Sequence, residues 1–248
     1  MRPTRAWLVP PLTTLVIAAC GGAGTGASGA ASPGAPPPGP LTVPDKDCGP
    51  GYVIDDLEDN NNQLLLERGR NGYWYTFVDK LGSSITPPIQ SAFIVSPGGA
   101  GGSARAAAAR MMGKIAPGGQ PLFAGMGFSF VDPKAPYDGA AYTGVSFYAK
   151  VGAGSTAAVR LKVPDVDTDP EGKTCSECYN DFGVDLTLTG EWKKYVVPFA
   201  TMKQMDGWGA PRPPSINKAK LYGMQWQVSV PGVSYDVWVD DVRFTGCP

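Results

Sequence analysis

The sequence contains no histidine. That absence removes imidazole general bases, Ser-His-Asp and Cys-His nucleophilic sites, and His-ligated zinc. Charge is scarce too: charged residues make up 17% of the 248, and 21 Lys+Arg against 22 Asp+Glu leave a net charge of −1. No basic excess exists to hold nucleic acid by counterion release, so that partner class is excluded. No apolar run reaches the length of a membrane span. Carboxylate, Tyr or Lys chemistry survives these exclusions, and so does plain binding. What is abundant is glycine (33) and proline (25), nearly a quarter of the chain and a sign of many turns and linkers. The 43% hydrophobic content suffices for one full-size domain or two small ones.

The first residues read as an address. Arg2 and Arg5 form a short basic region, followed by apolar and small residues from Leu8 to Ala19. The run Leu15 to Ala19 ahead of Cys20 resembles a bacterial lipoprotein signal, in which the Cys is lipidated after cleavage. This predicts a signal peptide over residues 1–19, Cys20 as the lipidation site, and an exported chain anchored to the cell envelope, in the outer membrane where the host has one. The membrane contact is then the lipid alone. From Gly21 to Pro40 only Gly, Ala, Pro, Ser and Thr occur, too little apolar surface to offset ordering entropy. Residues 20–46 are therefore expected to form a disordered tether and 47–248 the folded domain.

Within that domain apolar residues alternate. Val145, Phe147 and Ala149 oppose Ser146, Tyr148 and Lys150; Val159, Leu161 and Val163 oppose Arg160 and Lys162; Tyr222, Met224, Trp226 and Val228 oppose Gln225 and Gln227. Further strand-like runs are Tyr52 to Leu57, Tyr73 to Asp79, Phe182 to Leu188, a run around Tyr195 and Val197, and Tyr235 to Phe244. Period two with aromatic and β-branched enrichment between Gly/Pro/Asp clusters predicts antiparallel strands. Ser103 to Met112 reads either as a helix without caps or as a small-residue strand. The fold class is all-β, an antiparallel β-sandwich.

Four cysteines remain beyond Cys20, which allows three pairings, and an exported context favours disulfides. Cys48 lies before the first strand and Cys247 after the last, so this pair is expected to staple the ends of a jelly roll. Cys175 and Cys178 then close a tight loop. Zinc lacks ligands without His.

Three groups of residues carry a resemblance. They are Ile54 to Asp59 with Gly72 to Tyr75; Val145 to Lys150 with Trp192 to Phe199; and Leu221 to Trp226 with Val237 to Phe244. Together they resemble the galactose-binding-like jelly roll of family 11 carbohydrate-binding modules. The resemblance implies a two-sheet sandwich with a structural calcium and a shallow, concave sugar-binding face. The positions matching the calcium ligands are Asp56 and Glu58 on one face of the first strand, with Asp240, and with Asp241 as a fourth candidate; three carboxylates plus backbone carbonyls would supply the oxygens. For sugar, the outward Arg160, Lys162, Gln225 and Gln227 suit vicinal hydroxyls, and Tyr148, Tyr179 and Trp208 suit the apolar ring face.

Asp165, Asp167 and Asp169 imitate the start of an EF-hand loop, but Pro170 replaces the required Gly and Ser176 the required Glu. That segment is expected to be a solvated loop. The resulting reading is a monomer that binds β-glucan-type polysaccharide or oligosaccharide without catalysis. The alternatives are a protein-interaction or structural envelope module on the same fold and a carboxylate-based glycoside hydrolase.

Overall fold

In the computed structural model, the described residues are 52–101 and 106–246. The segments expected to be signal and tether, the lipidation candidate Cys20, and Cys48 and Cys247 with their expected pairing lie outside them. Twelve strands follow in chain order: β1 (Val53–Asp55), β2 (Trp74–Val78), β3 (Ser84–Thr86), β4 (Ser96–Pro97), β5 (Ala107–Lys114), β6 (Ala124–Ser129), β7 (Gly144–Val151), β8 (Ala158–Val163), β9 (Phe182–Thr187), β10 (Lys193–Pro198), β11 (Gly223–Val228) and β12 (Ser234–Thr245). Among the described residues the only helical elements are short 3-10 turns, and no helix is long and apolar enough to cross a membrane.

The strands form two antiparallel sheets. The first runs β10-β7-β12-β5-β3, with β1 added to β12 and β4 to β5; the second runs β2-β6-β11-β8-β9. Strand β12 is the spine of the first sheet. Its register breaks between Asp240 and Arg243, where Asp241 takes a φ of 51°. Before that break it pairs with β5 through Val239, and after it with β1 through Val242 and Arg243. A bulge of this kind lets one strand serve two partners on the same edge.

The inward residues of the two sheets interdigitate. Trp74 of β2 stacks on Trp226 of β11 at 5.7 Å, and Phe147 of β7 meets Trp226 edge-on at 5.2 Å across the sheets. Each large ring placed this way removes a large apolar area from water, and such burial is the main favourable term in folding. The alternations read from β7, β8 and β11 hold: Val145, Phe147, Val159, Leu161, Met224 and Trp226 are all buried in the core. The small-residue stretch resolves as a strand, with Ala107, Ala109 and Met111 of β5 packed in that core.

Two expectations are corrected. The aspartate segment from Asp165 to Asp169 is not solvated: Asp165 and Asp169 are both buried. Asp165 accepts hydrogen bonds from the Thr168 hydroxyl and from the backbone N–H of Asp167 and Asn217, and Lys134 pairs with Asp169. Local N–H donors make the burial tolerable. Asp56 and Glu58, read as two positions on one strand face, lie beyond the end of β1, because Leu57 adopts a φ of 58° and ends the extended run.

Candidate functional site

The second sheet turns one face to the core and offers the other. Across its five strands the register aligns Tyr75 (β2), Gly127 (β6), Gln225 (β11), Lys162 (β8) and Gly183 (β9) in one row. The next row is Phe77, Gly125, Gln227, Arg160 and Asp185. Aromatic side chains thus stand on one flank, hydrogen-bonding groups on the other, and a strand of alternating glycines between them. Adjacent strands lie about 4.8 Å apart, so each row spans roughly 19 Å.

The glycines let side chains lie flat. A Cβ on Gly125 would stand 2.2 Å from Cζ of Phe77, and one on Gly183 would stand 3.2 Å from Nε of Arg160. Arg160 reaches across β9 to donate to the Lys203 carbonyl at 2.6 Å and to Asp185 at 3.0 Å. Gln225 donates to the Tyr75 hydroxyl at 2.9 Å, which leaves that hydroxyl's own proton available to a ligand. Burial raises the Tyr75 phenol well above its usual range, so it is a neutral donor at physiological pH.

Lys162 differs from a solvated surface lysine. It is only 8% exposed and forms an ion pair of 2.8 Å with Asp181, itself 2% exposed; its ammonium also donates to the Tyr179 carbonyl at 3.1 Å and to Gln227 at 3.4 Å. The second oxygen of Asp181 is buried without a hydrogen-bond partner.

At the β9 edge a disulfide joins Cys175 to Cys178. This loop is knitted to the segment around Trp208: Asn180 donates to the carbonyls of Met205 and Trp208, Ser176 N–H donates to the Ala210 carbonyl, and Gly209 N–H donates to Glu177. Gly207 and Gly209, with φ of 84° and 91°, supply the left-handed backbone on either side of Trp208. The result is a rim on which Tyr179 is 63% and Trp208 42% exposed.

Six of the seven sugar-binding candidates therefore belong to one sheet and its rim. Tyr148 does not. It lies on β7 in the first sheet, paired with Lys194 and Asp240, on the sandwich's other outer face. Tyr75, Phe77, Gly125 and Gly127 were missed by the sequence reading. The signal was present, since Tyr75 and Phe77 have the parity opposite to the buried Trp74.

The calcium candidates are less well assembled. Asp240 accepts from the N–H of Ala100 at 2.6 Å and of Asp241 at 2.7 Å, Asp241 pairs with Arg243 at 3.0 Å, and Asp56 accepts from Glu58 N–H at 3.3 Å. Among the described residues no group of three or more acids is placed to hold a metal ion. Burial pushes the Asp240 carboxyl up to about 6, and the charges of Asp241 and Glu58 add to the effect. The acid that points inward from β1 is Asp55, which accepts from the Trp74 indole at 2.6 Å and from Leu57 N–H at 3.0 Å.

No protein-family model matches the sequence, and no curated protein matches it either. Solved structures do share its fold. A family 11 carbohydrate-binding module from Clostridium thermocellum, in complex with a β-1,3-1,4-mixed-linked tetrasaccharide, superposes with a TM-score of 0.54 at 14% identity; the match covers 79% of this chain and 95% of that one. The family 11 module of a cellulosomal cellulase of the same organism gives 0.51 at 14% identity, covering 78% of this chain and 93% of that one. The fold is thus the jelly-roll sandwich of these modules.

Proposed function

We propose that the protein binds β-glucan-type polysaccharide on the outer face of the second sheet, without catalysis. The observation that carries this is the two-row face itself, with Tyr75 and Phe77 on one flank and Gln225, Gln227 and Arg160 on the other, across a glycine-floored strand; Lys162, its donors taken by Asp181, Tyr179 and Gln227, holds that flank together. Apolar sugar faces stack on the rings while hydroxyl pairs meet planar amide and guanidinium groups. An open face desolvates few ligand atoms, so affinity per site is modest. A neighbour that shares the fold was solved with a β-1,3-1,4-mixed-linked tetrasaccharide, which supports a β-linked polysaccharide as the ligand here.

The acids support a binding role over hydrolysis. A glycosidase needs a carboxyl of raised proton affinity beside its substrate. On this face Asp185 and Asp181 are ion-paired, and the raised carboxyls Asp55, Asp165 and Asp240 are engaged in hydrogen bonds elsewhere. The test is a glycan array with the purified protein, with and without calcium, followed by the Arg160→Ala/Gln225→Ala double variant. Binding that survives the double variant moves the site off this face; no glycan binding, with capture of an envelope protein instead, favours the interaction-module reading.

Calcium enters only as part of this proposal, drawn to the corner where Glu58 and Asp241 act on Asp240. A melting temperature that calcium leaves unchanged removes it. The envelope anchor is proposed on Cys20 alone: Cys20→Ser protein is expected to lose its lipid label and its partition into membranes.

A further inference from the structure

The outer face of the first sheet carries a second constellation that glucan binding does not use. Arg110 of β5, Trp238 of β12 and Lys150 of β7 stand side by side in register, and Trp192, just before β10, completes the row. The Lys150 ammonium lies 4.8 Å from the ring centre of Trp192 and 4.9 Å from that of Trp238, while the two indoles meet edge to face at 6.4 Å. Arg110 lies 4.2 Å over Trp238, and Asp236 holds it by two bonds of 2.8 Å.

The two cations differ in what balances them. Arg110 is neutralised by a bidentate carboxylate. Lys150 is half-buried, and among the described residues it has ring contacts but no hydrogen-bond acceptor and no carboxylate. Ring faces offset part of an ammonium's lost hydration, yet its three donors stay unsatisfied by protein. Beyond Arg110 the row continues into a groove of about 280 Å³, lined in part by Pro87, Ile94 and Met112.

We propose that this face is a second glycan site, for an acidic polysaccharide whose sugars carry carboxylates. The unbalanced charge of the row is positive, so the complementary ligand is anionic, and a uronate carboxylate is the acceptor that Lys150 lacks. The flexible four-carbon stem of Lys150 lets the ammonium follow that carboxylate off the indole faces, which then take the apolar faces of the sugar rings. Four neighbouring strands give the row a length of roughly 14 Å, room for a short stretch of chain rather than a single sugar. Lying opposite the glucan face, the site lets one domain hold a neutral and an acidic polymer together. The inference stands on residues that the glucan reading does not use.

The experiment is a titration of the full mature protein with oligogalacturonate, with its methyl ester as the neutral control, read from the indole N–H resonances. The buried Trp74 and Trp226 serve as internal references. The expected result is a saturable shift of the Trp192 and Trp238 signals that weakens with salt and is absent with the ester. Lys150→Gln is expected to weaken binding about tenfold, the scale of one charge-assisted hydrogen bond, and Lys150→Arg to restore most of it. Unmoved Trp192 and Trp238 signals, equal binding of the ester, or a Lys150→Gln protein that binds unchanged would each overturn the proposal. A Lys150→Gln protein with a shifted melting temperature and unchanged affinity would make the lysine a packing element only.

Discussion

The ring of Phe77 lies across the backbone of Gly125, so closely that a Cβ there would stand 2.2 Å from its Cζ. The aromatic flank of the candidate face therefore depends on a missing side chain in the neighbouring strand. Gly125→Ala forces the Phe77 ring outward over the row; overpacking of this kind costs roughly 1–3 kcal/mol. Affinity electrophoresis on mixed-linkage glucan is expected to show several-fold weaker retention. Gly118→Ala, which meets nothing within 4 Å, should leave retention unchanged.

Removing one partner from the Lys162–Asp181 pair leaves a buried charge without compensation. Lys162→Met is expected to destabilise the domain by roughly 3–5 kcal/mol, the usual consequence of breaking a buried pair from one side. Lys162→Met/Asp181→Leu should recover most of that loss. Urea midpoints for the three proteins test it, and equal losses in single and double variants would contradict it.

Burial pushes the Asp55 carboxyl from its ordinary value of 3.8 to about 7, against the opposing hydrogen bonds from Trp74 and Leu57. The folded chain thus keeps a proton that the unfolded chain has released above pH 4. The linked stability is fully present below pH 4 and is lost as pH rises toward 7, by roughly 4 kcal/mol from this group. Asp240, pushed up to about 6, acts in the same direction. Asp55→Asn sets an amide NH2, which cannot accept, against one of the two N–H donors of Trp74 and Leu57; it should be less stable at pH 4 and show a flatter slope of unfolding free energy between pH 4 and 7.

The Cys175–Cys178 link closes a very short loop, and in the chain-entropy treatment a four-residue loop contributes about 2 kcal/mol. Replacing both with serine should lower stability by that order. Because the loop is bonded to the Trp208 segment, it should also weaken glucan retention. A variant that melts earlier but binds unchanged would take Tyr179 and Trp208 out of the site.

Much of the face was legible in advance. Arg160 with Lys162, and Gln225 with Gln227, were read as outward from alternation alone, and the structure sets them opposite one another on β8 and β11. Strand β6 was not legible, because Gly125 and Gly127 have no side chains to mark a second face. The first-strand acids misled for a different reason: the left-handed Leu57 ends the extended run, and nothing in the local composition announces it. The Asp165–Asp169 segment looked solvated by composition, yet its burial is settled by donors as distant as Asn217.

The fold class, the inward and outward parity of most strands and the short-range cysteine pair were legible from residue order, because they follow from period-two burial and from a separation of three residues. Which outward residues share a surface is set by long-range strand pairing. Tyr148 and Gln225 have the same alternation signature, and they end on opposite sides of the sandwich because strand pairing over long sequence separations assigns each to its sheet.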